Sequence, residues 1–347
     1  MFDWFNSAIL LIALSCGGVA IFRWYALTQG ILDKPNERSS HLVSTPRGGG
    51  IVFSLLWFGL LGFLIYCADP IDRPHWWAYL MATAPVLIVM YLGYLDDLRG
   101  VSAKSRLIGQ CIAAALSLWV IGDSVQGIIP WTTSLPYWMI LPAALVAIVW
   151  MVNLVNFMDG SDGLAATQSI FVFGVGGYFI YQSGGYELAT LAWGLVCLLL
   201  GFLVWNLPTA RIFMGDAGSC FLGFLIAIFG LIGYHWFKLP LQYWGILTAV
   251  FWFDATLTLI RRIHRKEKWM VAHRKHAYQR LIQSGWSHQK LLCGLIVVNG
   301  LLSSLAIWAF HEPKLLNVAF GLTIVFLGFI YLMIEWLRPM FKTWHSV

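Results

Sequence analysis

The chain has 347 residues, of which 59% are hydrophobic and only 11% charged, with a net charge of +6 and a mean hydropathy of +0.74. A surface facing water needs about 25% charged residues, so most of this surface faces lipid. A soluble enzyme, a disordered chain and a nucleic-acid binder are thereby excluded, and the positive charge reads as a membrane-topology signal.

A helix crossing ~30 Å of hydrocarbon needs ~20 mostly apolar residues. Such runs are predicted over residues 5–24, 50–67, 77–95, 107–122, 136–155, 164–182, 186–205, 217–236, 242–260, 290–310 and 316–336. Asp3 precedes the first run and no Lys or Arg does, unlike the basic start of a cleaved secretion signal, so that run is expected to stay as a membrane helix. No repeat, low-complexity tract or linker interrupts the series. The longest polar stretch, 261–289, is too short for a separate nucleotide-binding domain. The expectation is an all-α polytopic membrane protein with about eleven transmembrane helices. It forms one integral-membrane domain over 1–347, with working loops at 25–49, 96–106, 156–163, 206–216 and 261–289. Alternate loops hold eighteen lysines and arginines on one side and three on the other. By the positive-inside rule the N-terminus lies outside, and the C-terminus and working loops are cytoplasmic. The six cysteines sit singly in apolar runs without metal-ligand spacing, so neither disulfides nor zinc are expected.

The acidic residues are few enough to place individually. Asp69, Asp72, Asp123, Glu187 and Glu312 fall in short outer loops and read as solvated charges. Asp96, Asp97, Asp159, Asp162, Asp216 and Asp254 instead lie at or near the cytoplasmic ends of predicted helices. A carboxylate near hydrocarbon costs several kcal/mol unless it pairs or binds metal. Interhelical pairing with Arg and Lys is one account; a cation site at the membrane face explains all six together. Asp96 and Asp97 are consecutive, point ~100° apart on a helix, and repel one another unless a cation compensates. Gly160 and Gly163 break the helix beside Asp159 and Asp162, which lays irregular backbone at membrane depth, where it is tolerated if it lines a site. Asp216 opens the next helix, whose unpaired N–H groups suit an anionic ligand or its metal. Phe213, just before it, either packs against lipid and core or stacks on a planar base. The basic, Gly-rich segment 33–50 contains Lys34 and Arg47 and has the composition of a phosphate wrap, although a Gly run after Pro is also an ordinary turn. In 261–289, His273 and His276 share a face if that stretch is helical. Beside Arg274 and Lys275 they suit a diphosphate, or else the loop meets anionic headgroups. Carboxylates, cations and a lipid-compatible substrate together fit phosphoryl transfer, with Mg²⁺ held by a carboxylate or two and the substrate phosphates.

The segments DKPNERSSH (33–41), STPRGGG (44–50), YLDDLRG (94–100), GVSAKSR (100–106), NLVNFMDGSDGL (153–164), NLPTARIFMGDAGS (206–219) and FDATLTLIRR (253–262) occur in order over most of the chain. In this the sequence resembles the polyprenyl-phosphate N-acetylhexosamine-1-phosphate transferases. The resemblance implies that a UDP-N-acetylhexosamine and undecaprenyl phosphate give undecaprenyl diphosphate–sugar and UMP in a bacterial inner membrane. It implies Mg²⁺, with Mn²⁺ as the alternative, on Asp216 and Asp97. Asp96, Asp97, Asp159, His273 and His276 are then the catalytic candidates, with a base role for Asp96 or Asp97 left open. Asn206, Phe213 and Asp162 match the nucleoside pocket and Lys104 the phosphate site. Lys34, Arg47, Asn153, Asn156, Arg261 and Arg274 complete the substrate-binding candidates. Many relatives carry His-Ile-His-His in the last large loop where this chain has His273-Arg-Lys-His-Ala-Tyr-Gln279. That variant resembles the O-antigen-initiating subgroup, leaves GlcNAc, FucNAc or QuiNAc open, and argues against a muramyl-pentapeptide substrate. Partners are thus the donor, the lipid acceptor and the bilayer, without nucleic acid; a homodimer is left open. The rival from another class, a transporter or lipid flippase, predicts ionisable residues near the midplane and a repeat between halves, and neither is found. The CDP-alcohol phosphotransferases need a tight Asp-Gly-x₂-Ala-Arg run that is missing here.

Overall fold

The computed structural model describes residues 4–33, 43–71, 73–122, 137–267 and 273–341. Lys34, Arg38, Asp72, Asp123, Lys268 and Lys342 lie outside the described residues, as does most of the 33–41 motif.

The apolar runs become helices in the expected order: α1 (Trp4–Gln29), α2 (Gly50–Cys67), α3 (Arg73–Thr83), α4 (Val86–Arg99), α5 (Ala103–Ile121), α6 (Tyr137–Met158), α7 (Leu164–Gln182), α8 (Tyr186–Asn206), α9 (Gly215–Phe237), α10 (Leu241–Leu247), α11 (Ala249–His264), α12 (Ala277–Gln283), α13 (His288–His311) and α14 (Leu316–Leu337). Among the described residues ten helical segments are long and apolar enough to cross a membrane, or eleven if the bent α10–α11 pair is counted as one span. The protein is an all-α polytopic membrane protein. The described cysteines are all unpaired.

One expectation is refined and two need correction. The run at 77–95 holds as one candidate span, His75–Arg99, but is built of two helices, α3 and α4, because Pro85 follows the end of α3 and has no N–H to continue it. The run at 242–260 is not straight: α10 and α11 meet at 81° around Thr248. The carbonyls freed by that bend are taken up locally, those of Trp244, Gly245 and Leu247 by Thr248 Oγ1 (2.7 Å), Trp252 Nε1 (2.8 Å) and Gln168 Nε2 (2.7 Å). Such satisfaction is what irregular backbone needs where water is scarce. The polar stretch 261–289 is not one loop, since α11 runs on to His264 and α12 forms inside it.

Helix ends at one face of the bundle follow local chemistry. Gly100 (φ +74°) ends α4 with its N–H on the Asp96 carbonyl, and Ser102 caps α5 by accepting from Ser105 N at 3.1 Å. A two-residue antiparallel ladder pairs β1 (Leu32–Asp33) with β2 (Thr45–Pro46). The helix at the centre is α9, apolar on all sides and enclosed by α2, α4, α5, α6, α7 and α10. Helices approach it closely where glycine allows. A Cβ at Gly50 would lie 2.4 Å from Gly218 Cα, and one at Gly93 would lie 2.6 Å from the Asp216 carbonyl. The first residues of α9 are therefore held against α2 and α4.

Candidate active site

The closely packed start of α9 is where the acids meet. Asp97, 4% exposed at the end of α4, presents both carboxylate oxygens to α9, accepting from Asp216 N (3.1 Å) and Ala217 N (3.3 Å). It thus caps α9 from another helix, at the positive end of that helix's dipole. Gly215 (φ +77°) is required here, since a Cβ would fall 2.5 Å from an Asp97 oxygen. The Arg47 guanidinium donates to the Asp97 carbonyl and lies 4.0 Å from its carboxylate. Asp96, on the next bearing of α4, accepts from Val101 N (2.5 Å) and from Arg106 Nη1 (2.9 Å). That same Arg106 nitrogen donates to Asp216 at 2.8 Å. Asp96 and Asp216, from different helices, are thus joined through one cation, while Asp97 is committed to backbone.

Two turns close the site. Asp159 follows the end of α6, half-buried, and burial together with the neighbouring Asp216, Asp97 and Asp162 carboxylates pushes its carboxyl well above the usual range. Asp162 accepts from Ala210 N (3.0 Å) and lies 3.7 Å from His288 Nδ1. Asn206 accepts from Gly163 N (3.1 Å) and donates to the Ile212 carbonyl (2.9 Å). Asp162 and Asn206 therefore tie the 159–163 turn to the 206–214 turn. Phe213 is bound through its backbone, its N–H donating to the Pro46 carbonyl (2.8 Å) and its carbonyl accepting from Gly49 N (3.0 Å). Asn156 donates to Ser219 Oγ at 3.0 Å on α9, within the same assembly.

The segment after α11 docks as a third wall. Tyr278 donates to the Phe157 carbonyl (3.2 Å), and its hydroxyl fills the place of a Gly160 side chain. His273 and His276 are not on a shared helix, because the chain is irregular there and His276 sits at the start of α12. Their rings nonetheless lie 4.8 Å apart, with His276 3.8 Å from Asp254. Asp254 accepts from Ala277 N (2.8 Å) and Thr258 Oγ1 (3.0 Å). Burial, then His276, Arg262 and Lys275, push His273 down to about 4.

Some expected site residues point elsewhere. Arg261 turns to α14, donating to Glu335 at 2.6 and 2.8 Å. The amide of Asn153 donates to Gln110 (2.7 Å) and to Val149 O (2.8 Å), inside the bundle. Two others stay at the face of the acids: Lys104 is exposed on the first turn of α5, the turn that carries Arg106, and Arg274 lies in the 273–276 segment, its carbonyl accepting from Gln283 (2.8 Å). Two residues carry more than sequence reasoning assigned them. Arg106 appeared only as one of the charges of the GVSAKSR segment, and its spacing from Asp96 was the available signal. Glu335, inside an apolar run, accepts from both Arg261 and Arg280. An acid within a span was itself a signal.

The donor set suits a divalent cation of the Mg²⁺ type. Asp96 and Asp216 direct oxygens to one point, occupied by an arginine nitrogen, and Mg²⁺ takes one or two carboxylates plus substrate phosphates. Among the described residues no group of three or more His, Cys, Asp or Glu is placed to hold a metal unaided.

The fold and site together define a helical membrane bundle with carboxylates and guanidinium groups gathered at one face. The chain matches the model of glycosyl transferase family 4 over residues 77–234. It is 29% identical to a probable undecaprenyl-phosphate N-acetylglucosaminyl 1-phosphate transferase of Bacillus subtilis, over 90% of this chain and 86% of that protein. Identity is 31% to a phospho-N-acetylmuramoyl-pentapeptide-transferase of Halalkalibacterium halodurans, over 62% and 70%, respectively. An undecaprenyl-phosphate alpha-N-acetylglucosaminyl 1-phosphate transferase of Yersinia pestis is 27% identical over 86% and 82%. The chain belongs to glycosyl transferase family 4, among the polyprenyl-phosphate N-acetylhexosamine-1-phosphate transferases.

Proposed function

We propose that this protein transfers an N-acetylhexosamine-1-phosphate from a UDP-sugar to undecaprenyl phosphate, giving undecaprenyl diphosphate–sugar and UMP. The observation that carries this is the junction of Asp96, Asp216 and Arg106 at the capped start of α9. An oxygen of the lipid phosphate attacks the β-phosphorus of the donor. The new P–O–P bond forms as the old one breaks, and UMP departs with the bridging oxygen. A phosphate monoester has a second pKa near 6, so the attacking group is largely dianionic at neutral pH and a strong base is not required. The residues then act mainly by position and charge.

Asp216 and Asp96 hold the divalent cation, Mg²⁺ or Mn²⁺, which when bound offsets phosphate charge. Asp97 holds α9 and with it Asp216, a role that fits its two backbone bonds better than direct ligation. Arg47, Arg106 and Lys104 face the phosphates. Asn156, Asp159 and Phe213 line the donor side, and the segment with His273, Arg274 and His276 closes it. The eighteen-to-three distribution of Lys and Arg supports a cytoplasmic site with the N-terminus outside and the C-terminus inside. The whole chain is one catalytic domain of the bacterial inner membrane, and the 273–279 sequence supports initiation of O-antigen or a related surface glycan.

The test uses purified protein with undecaprenyl phosphate, Mg²⁺ and, separately, UDP-GlcNAc, UDP-FucNAc and UDP-QuiNAc. UMP release with one donor, abolished by EDTA, is expected. Folded protein that releases no UMP from these or a wider UDP-sugar panel would refute the proposal and favour a lipid transporter.

A further inference from the structure

We propose that Arg23, Trp205 and Arg211 form a binding site for the phosphate of an anionic phospholipid, separate from the reacting cluster. Arg23 lies near the end of the membrane span of α1, and Arg211 on the 206–214 turn. Both guanidinium carbons lie 5.8 Å from the centroid of the Trp205 ring. The arrangement is built rather than incidental. Trp205 Nε1 donates to the Cys16 carbonyl (3.0 Å), Arg211 N donates to the Trp205 carbonyl (2.8 Å), and Arg23 Nε donates to the Arg211 carbonyl (3.1 Å). Among the described residues no carboxylate is within ion-pair distance of either arginine. Among the described residues these two like charges share one indole face and a carbonyl but no carboxylate, and an anion would complete them.

The surroundings select a lipid anion. Ile21 and Trp24, beside Arg23, are 69% and 67% exposed, and Val204 and Leu207, beside Trp205, are also exposed. This apolar margin suits acyl chains below a headgroup, with the arginines at headgroup level. The site also looks away from the acids. Phe22, one residue before Arg23, has its ring 3.5 Å from where a Gly48 side chain would begin, on the side of Asp97. Successive helical residues diverge by ~100°, so α1 turns Phe22 toward the acid cluster and Arg23 toward Trp205. This inference does not depend on the reaction proposed above.

The experiment places the full chain in phosphatidylcholine nanodiscs with phosphatidylglycerol titrated in, and reads retained lipid by native mass spectrometry. A single tightly held phosphatidylglycerol is expected on the wild-type protein. Each arginine neutralised should weaken it about five-fold, and Arg23→Gln with Arg211→Gln about twenty-five-fold, from the usual contribution of one basic side chain at an anionic surface. Lysine at both positions should retain most of the binding. Arg211→Gln alone, a change at an exposed loop position, carries the test if the double variant does not fold. Unchanged retention in a folded glutamine variant overturns the proposal. Displacement by inorganic phosphate at equal phosphate concentration overturns it in favour of a free anion, and stoichiometric displacement by undecaprenyl phosphate overturns it in favour of an acceptor site.

Discussion

Gly93→Ala tests whether the contact between α4 and α9 positions the acids. Replacing a helical glycine by alanine ordinarily stabilises by up to ~1 kcal/mol. At Gly93 the new methyl carbon would sit 2.6 Å from the Asp216 backbone and 2.7 Å from Ala217 N. Those are main-chain atoms, which cannot swing aside, so α4 and α9 must part by roughly 1 Å to reach ordinary contact. The Asp97 bonds to α9, now 3.1 and 3.3 Å, would stretch to about 4 Å and be lost. Overpacking of this kind costs about 1–3 kcal/mol. Displacement of Asp216 by ~1 Å relative to Asp96 should lower turnover on the order of 100-fold. The controls are Gly59→Ala and Gly62→Ala in α2, where no atom outside the helix's own backbone lies within 4 Å of the new methyl. UMP release and thermal melting in detergent are measured for all three variants. Gly93→Ala turnover within about three-fold of wild type, with a melting point matching the controls, would refute the claim that this crossing sets the geometry of the site.

Arg106→Ala should leave Asp96 and Asp216 without their shared cation and lower UMP release on the order of 100-fold. Arg106→Lys should recover only part of the loss, because an ammonium lacks the planar fork, and full activity in either variant would count against the assignment. Glu335→Gln removes the partner of Arg280, which is 2% exposed and whose Nε and Nη2 already lack acceptors. Breaking such a pair costs about 3–5 kcal/mol, and the expected readout is faster hydrogen exchange across 273–285, with unchanged exchange as the contrary result. His273 gives that segment a pH dependence. Its folded pKa of about 4 lies below the ordinary 6.5, so the folded state binds fewer protons in that interval. Docking is therefore fully stable above about pH 6.5 and loses stability as pH falls toward 4. Glu267, held low by Lys275 and Arg262 against the opposing effect of burial, adds a loss in the same direction below its ordinary 4.5. Exchange rates at pH 7 and 5, corrected for intrinsic chemistry, should show opening at pH 5 that His273→Gln diminishes.

The spans were legible in the sequence because crossing a bilayer sets a minimum apolar length, and length needs no knowledge of partners. The gathering of acids at one face was legible for a related reason: a charge near hydrocarbon needs a shared justification. Bends at Pro85 and Thr248 were less so, since an apolar run reads the same whether straight or broken. Pro85 stood inside a run, whereas Thr248 is a break defined by Gln168 and Trp252 accommodating its freed carbonyls. Choice of ion partner was not legible either. Arg261 and Arg106 are both arginines beside acidic motifs, but one meets Glu335 some seventy residues on and the other joins Asp96 to Asp216. Such pairings depend on which helix faces which.

Enclosure of α9 has a mechanical consequence. Bilayers differ in thickness by several ångströms among membranes and growth conditions, and a spanning helix exposed to lipid answers by tilting. Here the outermost helices, α1 and α14, meet that demand, whereas α9 touches protein along nearly its whole length. Asp216 rides on a shaft shielded from hydrophobic mismatch, so its own position is insulated from the acyl-chain composition of the host membrane.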